Sequence, residues 1–68
     1  MTTKTVKEWR EEAQRLNEKS RQYRCEAYVE VDDVAHRWLY DNALAANAMA
    51  EDIEDAIAGL PDDKELTL

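Results

Sequence analysis

The chain has 68 residues, one histidine, one cysteine and a formal net charge of −7. That length permits one domain with a small core, and one Cys with one His can build neither a disulfide framework nor a four-ligand zinc site. No apolar run approaches the roughly 20 residues of a membrane span, the start lacks a signal peptide's apolar stretch, and the acidity disfavours nonspecific attraction to phosphate backbones or anionic lipids. A reducing cytoplasm is the expected setting.

The charge is unevenly placed. Residues 1–31 carry seven basic and six acidic side chains, whereas residues 32–65 carry ten acidic ones against Arg37 and Lys64. A nearly neutral segment therefore precedes a strongly acidic one, for which a basic surface is the natural counterpart. The only Gly and the only Pro, Gly59 and Pro61, stand near the end. Everything from Val6 to Ala58 is free of strong helix breakers.

Thr5-Val6-Lys7-Glu8 has the form of a capping box and predicts a helix over about 6–28. Trp9, Ala13, Leu16, Ser20, Tyr23 and Ala27 follow at spacings of four and three, a seam along one helical face. Glu11 and Arg15 can pair across one turn. The aromatic and β-branched stretch Tyr28-Val29-Glu30-Val31 weakens helix propensity, so a turn is expected at about 29–32. Asp32-Asp33 supplies N-cap chemistry for a second helix over about 33–58. Gly59 then fits a C′ cap and Pro61 the residue beyond it.

The inward stripe of this second helix reads as Ala35, Leu39, Asn42, Ala46, Met49, Ile53, Ala56 and Leu60, widened by Trp38, Ala45 and Ile57. Leu44 and Ala48 lie away from that stripe, and Tyr40, Ala43 and Ala50 on a further face. Residues 61–68 read as a short acidic tail, frayed at the end. No Gly or Pro enforces the turn, so one continuous helix is the competing arrangement. The hairpin is favoured because the seam shifts phase near Glu30, where the first helix's repeat calls for an apolar residue.

These elements predict an all-α single domain over residues 1–68, a two-helix antiparallel hairpin. Each helix of a hairpin has one neighbour, and the second helix is apolar over most of its circumference. A homodimer in a four-helix arrangement is the expected consequence. The candidate core and dimer residues are Trp9, Leu16, Tyr23, Trp38, Leu39, Met49 and Ile53.

No constellation for chemistry emerges. His36 reads as a surface histidine with no nucleophile placed beside it. Cys25 lies off the seam and reads as an inert reduced thiol, although Arg21 and Arg24 nearby are of the sign that activates one. Adjacent carboxylates such as Asp32-Asp33 and Asp62-Asp63 diverge too far on a helix to converge on a substrate. We therefore expect no catalytic residue, no cofactor, no metal and no enzyme activity. What remains is contact. Glu51, Asp52 and Asp55 offer charge and Tyr40 and Leu44 apolar anchors, so these five are the candidate partner-binding residues. The basic residues Lys7, Arg10, Lys19, Arg21 and Arg24 are interleaved with glutamates, which speaks against a continuous nucleic-acid footprint and against direct DNA binding.

Two resemblances follow from these segments. The Asp32-Asp33 turn and the tail Ala58-Gly59-Leu60-Pro61-Asp62-Asp63 resemble the plan of the repressor-of-primer family, which implies a dimeric four-helix bundle that binds RNA. Val6-Lys-Glu-Trp-Arg-Glu-Glu-Ala13 and Val34-Ala-His-Arg-Trp-Leu-Tyr40 are similar to small early anti-quorum-sensing proteins of temperate phages. That resemblance implies a helical dimer that inhibits a LuxR-type transcription activator through its DNA-binding domain and restrains a pilus assembly ATPase. The expectation is a phage-encoded inhibitor of a host protein, with RNA binding as the alternative.

Overall fold

A computed structural model describes residues 1–68. The chain runs β1 (Thr3–Thr5), α1 (Val6–Val29), α2 (Asp33–Ile57) and β2 (Glu65–Thr67). The two helices form the expected hairpin, and the break falls at residues 30–32. The body measures 45 × 19 × 15 Å. Its thinnest dimension is little more than one helix diameter, about 10–12 Å, so both broad faces of the hairpin are open.

The capping box at Thr5 forms in full. The Glu8 N–H donates to Thr5 Oγ1 at 3.2 Å, and the Thr5 N–H donates back to Glu8 Oε1 at 3.0 Å. Those two bonds satisfy amides that the helix itself leaves free. The bond from the Thr5 backbone is the main cause that holds the Glu8 carboxyl below its ordinary value of 4.5, with the Thr5 hydroxyl adding to it. At the other junction Asp32 Oδ2 accepts from the Ala35 N–H at 2.9 Å, the expected N-cap of α2. Gly59 adopts φ 76° just past the C-cap Ala58, a left-handed position that favours glycine.

The tail corrects the expectation of an all-α chain with a frayed end. β2 pairs antiparallel with β1 in the register Thr3↔Thr67, Lys4↔Leu66 and Thr5↔Glu65. The tail also serves the start of α1: the Val6 N–H donates to Lys64 O at 2.8 Å and the Lys7 N–H to Asp62 O at 3.1 Å. The Trp9 indole N–H donates to Leu66 O at 2.8 Å, and Lys4 lies over the same ring, 4.8 Å from its centroid. Trp9 thus gives its apolar body to the core and its one polar atom to the tail.

The core is built mostly from small residues. α1 buries Val6, Trp9, Ala13, Ser20 and Ala27, in agreement with the expected seam, and Leu16 and Tyr23 are half-buried. α2 buries Leu39, Ala43, Ala46, Ala50, Ile53 and Ile57. The expected inward stripe was therefore out of phase. Leu39, Ala46 and Ile53 are common to both patterns, but Ala43 and Ala50 point inward, Asn42 and Ala56 are only half-buried, and Met49 is 56% exposed. The reason is distance. With alanine at three of six contact positions the helices approach closely, and Ser20 Oγ reaches across to donate to Ala43 O at 2.8 Å. A methionine in that line would hold the helices apart.

Two outcomes check this account. Ala50→Leu should destabilise the fold by about 1–3 kcal/mol through overpacking, while Ala48→Leu, at an exposed position of the same helix, should change it by no more than about 0.5 kcal/mol; urea unfolding followed by circular dichroism measures both. Glu8 has a lowered carboxyl pKa in the folded state, so its stabilising contribution is complete above the ordinary value of 4.5 and disappears as pH falls through the folded value. The stability difference between the parent and Glu8→Gln should accordingly shrink on acidification below that value, and a difference that grows would contradict the cap geometry.

Candidate functional site

Each residue of an α-helix turns by about 100°. Four of the five expected contact residues, Tyr40, Leu44, Glu51 and Asp55, therefore fall along one line on the side of α2 turned away from α1. Tyr40 is 49% and Leu44 45% exposed, and the carboxylates are exposed as well. Asp52 is also exposed but stands about 100° round the helix from Glu51, next to a different strip. It is one turn from Asp55, so it borders the same exposed face at its far edge.

Tyr40 is held by the turn. Its ring lies nearly parallel to that of His36, with centroids 6.5 Å apart and planes 7° from parallel. His36 is itself fixed by a 2.7 Å bond between Nδ1 and Ala27 O. A carbonyl only accepts, so Nδ1 carries the proton. The Glu30 N–H donates to the same carbonyl at 3.2 Å. The lone histidine, expected as an ordinary surface residue, thus ties the start of α2 to the end of α1. One sequence signal pointed to it: it sits one turn before Tyr40.

The acidic groups of α2 lack cationic partners. The ion pairs of the chain join Lys4 to Glu12, Arg10 to Asp62 and Arg15 to Glu12. None involves a carboxylate of α2. Glu51 accepts from Asn47 Nδ2 at 3.3 Å and Glu54 from Asn17 Nδ2 at 2.9 Å, which orients both without neutralising them. The negative field of the outer face is therefore directed at solvent. The expected Glu11–Arg15 pair is replaced by Glu12–Arg15.

A second strip, missed by the sequence reading, lies on one flank of the hairpin. Trp38, expected among the core and dimer residues, is 57% exposed in the single chain. It rests edge-on against Tyr23, with centroids 5.9 Å apart and planes at 89°. Ala45 and Met49 continue the strip along α2, and half-buried Leu16 and Tyr23 flank it on α1. At the turn it opens into a groove of about 640 Å³ lined by Val29, Val34, Trp38 and Leu39, with Glu26, Glu30 and Asp32 at its rim. The opposite flank is polar: Asn17, Ser20, Arg21, Arg24 and Asn47 line a shallow recess there.

Cys25 is exposed and unpaired. No group of three or more His, Cys, Asp or Glu side chains is placed to hold a metal ion, and no helix is long and apolar enough to cross a membrane. Compared with protein-family models, with curated proteins and with solved structures, the chain matches none.

If the outer face of α2 serves contact rather than folding, its anchors are dispensable for stability. Tyr40→Ala and Leu44→Ala should each shift the unfolding free energy by no more than about 0.5 kcal/mol, against about 3–5 kcal/mol for Trp9→Ala in the core. Urea unfolding of the three variants side by side measures the contrast.

Proposed function

We propose that this chain is a non-enzymatic protein-binding inhibitor or modulator, phage-encoded and acting in the host cytoplasm as a homodimer. It binds the basic, DNA-contacting surface of a host transcription regulator such as a LuxR-type quorum-sensing activator, and a pilus assembly ATPase is a further candidate target. The observation that carries this reading is the outer face of α2. Two exposed apolar side chains, Tyr40 and Leu44, stand in line with Glu51 and Asp55, neither of which forms an ion pair within the chain, and Arg37 is the one cation of α2. A surface of this kind is costly to bring against a neutral or acidic partner and favourable against a basic one. The carboxylates accelerate encounter, and the apolar anchors set the lifetime of the complex.

A second reading, RNA binding in the manner of the repressor-of-primer family, draws on the polar recess. Arg21 and Arg24 line it beside Asn17 and Asn47, and neither arginine is ion-paired. Arg10, the third arginine of that face, is engaged by Asp62, which leaves two free cations. Two phosphate contacts give a weak affinity with a shallow salt dependence, since the slope scales with the number of phosphates neutralised.

A competition measurement separates the two. The DNA-binding domain of a LuxR-type activator is loaded with fluorescent operator DNA, and the chain is added at several salt concentrations. The parent should displace the DNA. Glu51→Gln combined with Asp55→Asn should slow association and flatten its salt dependence, while Leu44→Ala should raise the dissociation rate. Equal competition by the parent and the double variant from about 50 to 300 mM salt, a range over which the Debye length changes roughly 2.5-fold, would refute the charge mechanism. Retention of RNA that is lost on replacing Arg21 and Arg24 by Gln would favour the second reading.

A further inference from the structure

We infer that the groove at the turn docks a cationic protein segment: a bulky apolar side chain seated on Val34, Trp38 and Leu39, with lysines or arginines beside it held by Glu26, Glu30 and Asp32. This goes beyond the outer face of α2. It concerns another side of the molecule and does not depend on the identity of any target. Three observations carry it.

The first is the floor. Val29, Val34 and Trp38 are exposed, as is Val31 beside them. With Leu39 they form a groove of about 640 Å³, a volume in the range of known ligand clefts. The second is the rim. The titratable groups that line the groove are all carboxylates, and none of them forms an ion pair. The cations stand further off. Arg24 lines the polar recess on the opposite flank. Lys19 is two turns back along α1 from Glu26, about 10 Å away. Arg37 shares a separate recess with Asp33 and His36. Over residues 26–41 it is the one Lys or Arg among five acidic side chains. Two of the rim carboxylates are also fixed in place. Glu30 Oε1 accepts from the Val31 and Asp32 N–H groups at 3.0 Å each, and Asp32 Oδ2 accepts from the Ala35 N–H at 2.9 Å. Each binds the backbone through one oxygen and keeps the other for a partner. Neutral amides orient these charges without cancelling them, so the acceptors for a cation are held ready.

The third observation decides the occupant. The rim carboxylates are spread over the end of α1, the turn and the cap of α2. A small organic cation brings one charge and, in an open groove, leaves much of its surface in water. A protein segment brings an apolar anchor and several cations at once, which is the chemistry this rim complements. A second copy of this chain fits poorly. Its turn carries the same carboxylates, and its Arg15 and Lys19 are interleaved with Glu12 and Glu18. An anionic membrane surface is repelled by the same rim.

The test uses the full chain and a fluorescein-labelled peptide in which two leucines are flanked on each side by lysines, in about 50 mM salt, where screening is weak. Anisotropy gives the affinity and amide NMR the site. The peptide should bind, shifting the Val34 and Ala35 amides and the Trp38 indole but not the Leu44 amide. Replacing its lysines by glutamine or its leucines by alanine should abolish binding. Glu26→Gln combined with Glu30→Gln should weaken it about fivefold, since glutamine at position 30 keeps the acceptor for the two turn amides. Val34→Ser, at an exposed position, should weaken it by a similar factor and serves should circular dichroism show that the double variant has lost its helices. Glu51→Gln combined with Asp55→Asn removes the same net charge from the outer face and should leave the affinity unchanged. Equal weakening by the two double variants would mean a general attraction to an acidic chain and would overturn the inference. So would an absence of binding. Displacement of the peptide by an equal concentration of n-octylammonium would assign the groove to a small cation instead, and groove resonances that shift with the concentration of the chain alone would assign it to a second copy; either result also overturns the inference.

Discussion

The close approach of the two helices is the constraint on which the rest of this structure depends. A hairpin of two helices has one interhelical seam. Here that seam is lined by Ala13, Ser20 and Ala27 on α1 and by Ala43, Ala46 and Ala50 on α2. Small residues permit close contact along the whole seam, and the Ser20–Ala43 bond ties its middle. The larger buried groups are confined mainly to one end, where Val6, Trp9, Ile53 and Ile57 form a cluster with Leu16, Leu60 and Leu66 packed against it. Much of the remaining large apolar surface, Trp38, Tyr40, Leu44 and Met49, is then left outside. The fold and the proposed function share this cause: side chains that do not fit the seam are available for contact.

The two ends of the hairpin are closed differently. At the chain termini, the tail supplies acceptors to the first amides of α1, pairs with Thr3–Thr5 and takes the indole N–H of Trp9. This end is cross-linked by directed bonds, which helps a chain too short for a large core. At the turn, the closure rests on the Asp32 cap and on His36 bonded to Ala27 O, while Tyr28, Val29, Val31 and Val34 remain exposed. The stability of the molecule is therefore concentrated at one end and its uncovered apolar surface at the other.

How much of this was legible in the sequence differs between the helices. α1 has one apolar stripe among charged residues, so its seam was read correctly from Trp9 to Ala27, together with the capping box that starts it. α2 is apolar round most of its circumference, and two stripes sharing Leu39, Ala46 and Ile53 were equally periodic. Choosing the one with Met49 over the one with Ala43 and Ala50 favoured bulk, whereas a two-helix seam favours small residues. The same choice hid the flank, because Trp38 and Met49 were assigned inward. The tail was illegible for another reason. A three-residue strand has too few positions to show alternation, and its partner lies some sixty residues away in the chain. The exposure of Tyr40, Leu44, Glu51, Asp52 and Asp55 was legible because surface charge and amphipathic aromatics are local properties of the sequence; how far round the helix each one points depends on helix phase.

The phase of α2 thus decides which side chains hold the hairpin together and which face outward. Side-chain NMR measures it directly. In an isotope-filtered NOE experiment that separates contacts within a chain from contacts between chains, the account predicts strong intrachain cross-peaks between the Ala50 methyl and Ala13, and none between the Met49 methyl and Ala13. An intrachain contact from Met49 to Ala13, with the Ala50 methyl facing water, would contradict it.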